Sequence, residues 1–489
     1  MPNGLFALKP VDAMPAGDQQ ELRRTLSLPA LTAFGIGSII GTGIFVLTGT
    51  AAANHAGPAL VLSFVMAGFG CALAALCYAE LASMLPISGS AYSYAYATMG
   101  ELVAWFVGWN LVLEYTFSVG TVAVGWSAYV MSLLGQFGFH LPDTLTNAPF
   151  DRGAGDHGLV ATGALINLPA VLIVAGVAAV CYVGIRQSSA INSAIVVVKI
   201  AVVAAFILLG LSHISASNWV PFVPPNTGQF GHFGWSGVLA ASGIIFFAYI
   251  GFDTISTCSQ EANDPRRDVP LSILASLAIC TVLYIATALV LTGMVPYTEL
   301  DVAAPVALAL DRYPELRWLG IPVKIGAIAG MTSVMLVMTV GQSRIFLTMS
   351  RDGLLPPWFA GVHARFRTPA RSTIVTAVAA AVIAGLLPVR LLGELVSIGT
   401  LLAFVTVCIG VLILRKLRPD MPRRFRVRAP WIICTGGALI CSILMVALPP
   451  DTWVRLALWT FVGLLVYVFY GYRHSRLRSN PGPAGGVRS

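Results

Sequence analysis

Long apolar stretches separated by short polar segments run through almost the whole chain. A run of about 18 apolar residues is enough to cross a bilayer. Twelve stretches meet that test: 30–53, 57–85, 101–134, 163–185, 190–211, 234–258, 269–294, 321–349, 372–388, 392–415, 430–448 and 454–472. Two of them carry helix-weakening residues near the middle. The first holds Gly35-Ile36-Gly37-Ser38-Ile39-Ile40-Gly41-Thr42-Gly43-Ile44-Phe45, and the sixth holds Ser242-Gly243-Ile244-Ile245-Phe246-Phe247-Ala248-Tyr249-Ile250-Gly251-Phe252-Asp253. In lipid an unpaired backbone group costs several kcal/mol, so a broken helix persists only where its free groups meet protein, water or a ligand. Two such breaks at corresponding places in two halves point to the substrate site of a transporter.

Spans one to five overlay spans six to ten, each set opening on its broken member. Five is odd, so the second set inserts upside down relative to the first, which places a substrate near mid-membrane between two rocking bundles. The predicted organisation is a tail at 1–29, a first repeat at 30–212, a second at 234–416, two further spans within 430–473, and a tail at 474–489. Loops 136–162 and 212–233 are rich in Gly, Pro, Asn and Asp, and Pro305 opens a short helix within the polar segment 299–318. A polar stretch without a small-residue cleavage site precedes the first span, so no signal peptide is expected.

Composition sharpens this picture. The chain is 57% hydrophobic and 10% charged, against roughly 25% charged in soluble domains. With the N-terminus inside, 22 of the 29 Lys and Arg fall on the cytoplasmic side, 6 outside and one within the membrane, as the positive-inside rule requires. The net charge of +8 therefore reports topology, and no nucleic-acid fold signature accompanies it. The eight cysteines sit in or beside apolar spans without metal-ligand spacing and read as packing residues. No phosphate-binding loop is present, so energy comes from an ion gradient, an exchanged solute or the substrate's own gradient. No soluble domain, metal spacing or nucleophile–base pairing marks an enzyme.

The candidate chemistry lies at the breaks and at intramembrane charges. Unwinding at Gly41-Thr42-Gly43 bares amides at a half-helix N-terminus, which attracts an anion such as a carboxylate; the bland alternative is tight helix packing by small residues. Carbonyls freed around Phe247, Ala248 and Ile250 can accept from an ammonium, with Phe246 or Phe247 as an aromatic lid. Asp253 either caps the inner half-helix or meets the ammonium. Lys199 lies in the middle of its span, and an intramembrane ionisable residue is a functional hypothesis by default. It is read as a proton-coupling lysine, against a permanently charged ammonium on helix-break carbonyls. Mid-span Glu114 carries a proton, meets a cationic substrate or bridges helices. Tyr284, mid-span, is within reach of a hydrogen bond to Lys199, with a packing role as the default, and Glu80, with Arg266, Arg267 and Arg344 on the same side, is a candidate inner gate.

Together, Gly35–Phe45, the run Tyr78-Ala79-Glu80-Leu81-Ala82-Ser83-Met84-Leu85-Pro86 with Ser88-Gly89-Ser90-Ala91-Tyr92, and Phe246–Asp253 continuing into Glu261–Pro270 resemble the amino acid–polyamine–organocation superfamily. Gly341-Gln342-Ser343-Arg344, Ser350–Pro356 and Asn110–Tyr115 make the chain similar to bacterial members of the cationic amino acid transporter family, from about residue 25 to 475. The resemblance implies an all-α integral membrane protein of twelve transmembrane helices with the leucine-transporter fold, five plus five inverted helices and two more. It implies that Ile39, Thr42 and Gly43 receive a substrate carboxylate and Phe247, Ala248 and Ile250 its amino group. It sets Lys199 where a sodium ion sits in other members, so no sodium site and no cofactor are expected. Met331 falls where the eighth helix nears the pocket, and its bulk favours alanine-sized substrates. The expected function is proton-coupled uptake of small neutral L-amino acids, in a bacterial inner membrane with both termini cytoplasmic. Uptake or exchange of cationic amino acids and a non-transporting receptor are the alternatives. Expected partners are the amino acid and membrane lipid, with a small membrane subunit or sterol left open.

Overall fold

The computed structural model describes residues 5, 7–9, 26–85, 89–152, 159–184 and 189–479. Pro86 to Ser88 of the motif above and most of both tails lie outside them. The main helices are α1 (Leu28–Ile39), α2 (Leu60–Met84), α3 (Ser90–Thr98), α4 (Glu101–Gln136), α5 (Leu168–Val183), α6 (Ser189–Gly210), α7 (Gly234–Ile245), α8 (Pro265–Met294), α9 (Arg317–Arg351), α10 (Ala370–Leu386), α11 (Val389–Leu417), α12 (Pro430–Val446) and α13 (Pro450–Val466). Among the described residues, eight helical stretches are long and apolar enough to cross a membrane, and α1, α5, α10 and α12 are shorter apolar helices. The second half of the first expected span, from Gly43, runs into α2 through a turn at Gly57, whose φ is +59°.

Two features differ from the sequence reading. The loop at 136–162 contains a small antiparallel hairpin, β1 (Phe150–Arg152) and β2 (Leu159–Ala161), pairing Phe150 with Ala161. The segment before α4 forms its own buried helix, α3, set off by Gly100 at φ +94°. The short helix expected after Pro305 is present as Pro305–Asp311.

Helices at equivalent places in the two sets pack on each other: α2 on α8, α4 on α9, and α5 on α10. Leu172, Val282, Leu439 and Phe461 face outward, and an apolar surface of that extent suits lipid better than water. One end of the bundle gathers residues from both chain termini. There Lys9 pairs with Asp352 at 2.5 Å, Arg344 with Glu261 at 2.9 Å, and Arg478 with the fully buried Glu101 at 2.9 Å. The opposite end opens into a recess of about 960 Å³ between Thr50, Val124, Ala128 and the Asp301–Arg390 pair.

Candidate functional site

The first break falls between α1 and the helical segment that starts at Gly43. Ile40 leaves helical geometry at ψ 101°, so α1 ends with unpaired carbonyls, as every helix does. Lys199 and Tyr284 take them. The Lys199 ammonium donates to Gly37 O at 2.6 Å and Ile40 O at 3.1 Å, while the Tyr284 hydroxyl donates to Ile39 O at 2.8 Å. Both side chains are fully buried. A cation at a helix C-terminus is also favoured by the helix dipole. Gly330 makes room for the lysine stem, since a Cβ there would lie 2.9 Å from Lys199 Cε. Tyr284 therefore shares the break with Lys199 without bonding it.

The second break runs from Phe246 to Asp253. It combines an extended Ile250, ψ 138°, with Gly251 at φ +121°, a conformation open to glycine and strained for other residues. The two breaks cross at close range. A Cβ on Gly43 would lie 2.3 Å from Ala248 Cα, and one on Gly251 would lie 2.8 Å from Ser38 O. Among the described residues, the amides of Gly41, Thr42 and Gly43 have no hydrogen-bond acceptor, and the carbonyls of Ala248, Tyr249 and Ile250 have no donor. Carbonyls further along are taken: Thr48 Oγ1 donates to Gly43 O at 3.1 Å and Tyr129 Oη to Phe45 O at 2.8 Å. Buried backbone groups are nearly always paired, and the open donors and acceptors at this crossing can pair with a ligand that has an anionic and a cationic end.

The remaining candidates surround the crossing. Met331 is fully buried and its sulfur accepts from Thr42 Oγ1 at 3.3 Å, closing one side. Phe246 packs edge-on against Phe404, whereas Phe247 keeps 6% of its surface exposed. Asp253 makes no side-chain cap to the helix that follows it. Instead its Oδ2 accepts from Tyr115 Oη at 2.9 Å, and its Oδ1 is buried without a partner. Glu114 on α4 lies within electrostatic reach of Asp253, and its Oε1 is likewise unpartnered. These two carboxyls form one polar cluster that the reading of isolated residues did not join. Both polar atoms of the buried Gln342 are also unpartnered.

Glu80 lies well away, at the end that gathers the termini, and its partner differs from the expected arginines. Arg415 on α11 grips it through two nitrogens at 2.8 and 2.5 Å, Arg423 stands 3.5 Å away, and the Val427 amide donates at 2.7 Å. Arg344 is engaged by Glu261. Tightly bound acids at this face, with Glu101 bonded by Tyr96, Tyr467 and Ser475 as well as Arg478, form a closed end below the crossing.

Apolar helices packed around a doubly broken centre define a multi-pass membrane protein of the permease class. The chain belongs to the amino acid permease family, whose model matches residues 26–469. It is 46% identical over 476 residues to the methylthioribose transporter of Bacillus subtilis (strain 168), covering 97% of this chain and 99% of that protein. It is 42% identical over 480 residues to the branched-chain amino acid permease BcaP of the same organism, covering 98% and 100%. A plant relative, the mitochondrial cationic amino acid transporter 3 of Arabidopsis thaliana, is 38% identical over 400 residues, 82% of this chain and 64% of that protein.

Proposed function

We propose that this permease is a proton-coupled symporter of small neutral L-amino acids working by alternating access. The observation that carries the reading is the crossing of the two breaks, where unpaired amides at Gly41–Gly43 stand near unpaired carbonyls at Ala248–Ile250. A zwitterion satisfies both sets at once, its carboxylate on the amides and its ammonium on the carbonyls. Ile39, Thr42, Gly43, Phe247, Ala248 and Ile250 line this contact. Met331 beside Thr42 shortens the side-chain space and favours alanine-sized substrates over arginine.

In this reading the chain crosses the membrane twelve times in the leucine-transporter fold, as repeats 30–212 and 234–416 with two further spans in 430–473. The mutual packing of α2 with α8, α4 with α9 and α5 with α10 supports a two-fold relation between the repeats. The closed end faces the cytoplasm and the recess of about 960 Å³ faces outward, with the crossing itself buried between them, in a bacterial inner-membrane protein. Lys199 occupies the cation position at the end of α1, which leaves protons as the coupling ion and no sodium site or other cofactor. Loss of its proton leaves an amine with two weaker N–H donors for Gly37 O and Ile40 O, so the charge on Lys199 sets how firmly the break is held. Glu114 and Asp253 form a second proton-holding group beside the same crossing.

The methylthioribose transporter among the relatives gives a second reading, a thiosugar whose hydroxyls donate to the same carbonyls. Binding measured as thermal stabilisation of the purified protein separates the two, because a ligand that binds the folded state raises the unfolding temperature with its concentration. L-Alanine is expected to stabilise, while propionate and ethylamine, each lacking one end, do not. Stabilisation by methylthioribose and not by any amino acid overturns the amino acid reading.

A further inference from the structure

Seven basic residues crowd the stretch from Arg415 to Arg428, with Asp420 as its single acid. Their neighbours use them unequally. Arg415 is committed to Glu80 and Val427 O, Arg423 to carbonyls of residues 418–421, and Arg424 to Asp264. Arg426 and Arg428 are exposed and, among the described residues, have no acidic partner or hydrogen bond. They face a recess of about 450 Å³ that is also lined by Arg415, Val427, Ala429 and Pro430, at the start of the 17-residue α12.

The recess has an apolar flank. Trp431 and Ile432, the next residues of α12, are 59% and 75% exposed, and Lys416 Nζ lies 5.3 Å from the Trp431 ring centroid. Tryptophan beside clustered Lys and Arg is the composition found at headgroup level in a bilayer. The concave face thus offers cationic donors and an adjoining surface for hydrocarbon.

We propose that the recess framed by Arg415, Arg426 and Arg428 binds the phosphate of an anionic phospholipid headgroup, with the acyl chains lying along Trp431 and Ile432. The proposal rests on the cytoplasmic assignment of this face and is independent of the transported substrate. The loop that carries Arg426 also supplies the Val427 amide to Glu80, so the bound headgroup holds in place the segment that secures α2 to α11.

The test is native mass spectrometry of the detergent-purified full chain titrated with phosphatidylglycerol, phosphatidylcholine or inorganic phosphate. Wild type is expected to retain phosphatidylglycerol in preference to phosphatidylcholine. Arg426→Gln with Arg428→Gln is expected to weaken that retention about thirty-fold, the scale of two surface charges. Arg473→Gln with Arg476→Gln removes two exposed charges from the same end outside the recess and is expected to leave retention unchanged. A thermal unfolding scan without lipid checks that both variants fold. Equal weakening in the two double variants shows diffuse attraction and overturns the site, as does undiminished retention in R426Q/R428Q. Displacement of the lipid by millimolar phosphate shows a free-anion site and overturns the lipid assignment. A failure of amino acid binding leaves all of these readouts untouched.

Discussion

Lys199 holds an ammonium where a broken helix ends, bonded to two carbonyls that have no other donor among the described residues. Leaving a buried carbonyl unpaired costs roughly 1–3 kcal/mol, so a side chain without N–H donors here forces α1 to rearrange. Lys199→Met, similar in length, is expected to keep substrate exchange between equal concentrations and to lose accumulation against a gradient. Counterflow that survives beside abolished proton-driven uptake is the signature, and proton-driven uptake at wild-type levels contradicts it. Met331 is the second decisive residue. Met331→Ser is expected to improve leucine relative to alanine, by about four-fold for each added methylene that gains burial. Competition against labelled alanine measures the ratio, and an unchanged order removes Met331 from the specificity account.

Among the elements, the two breaks stand or fall together because their backbones touch. Gly43→Ala drives a Cβ to 2.3 Å from the Ala248 backbone, and backbone cannot yield as a flexible side chain does. The variant is expected to insert and purify yet bind no alanine, while Gly176→Ala, with nothing within 4 Å, binds as wild type. Alanine binding by Gly43→Ala refutes the crossing as the site. Much of this level was legible in the sequence, since glycine placement and apolar run length are local signals. The expected span at 57–85 is α2 at Leu60–Met84, and both breaks occur where glycine announced them. Partnerships were less legible. Arg415 lies 335 residues from Glu80 and Arg478 lies far along the chain from Glu101, and no local pattern encodes such pairings. Asp253 read as a cap because Asp commonly precedes a helix, yet the chain there is only a four-residue turn and the carboxyl finds Tyr115 instead.

For the whole molecule, alternating access requires one end to seal while the other admits substrate. The closed end depends on side chains drawn from both termini and from both repeats, of which Glu80 with Arg415 is among the most buried. Breaking a buried pair costs about 3–5 kcal/mol, enough to invert a balance between two conformations. Glu80→Gln is expected to raise hydrogen exchange at residues 423–428 and the inner end of α2, with the far end less accessible. Exchange unchanged at these segments shows that the pair is no part of the gate.

In the transport cycle proposed here, a proton gradient drives a neutral amino acid through this centre. The most direct test of this cycle is uptake of radiolabelled alanine and arginine into proteoliposomes in sodium-free buffer, with and without an inwardly directed proton gradient, for wild type and Lys199→Met. Gradient-driven alanine accumulation is expected for wild type, none for the variant, and little arginine uptake for either. Alanine uptake indifferent to the gradient, or accumulation intact without the lysine, contradicts the cycle.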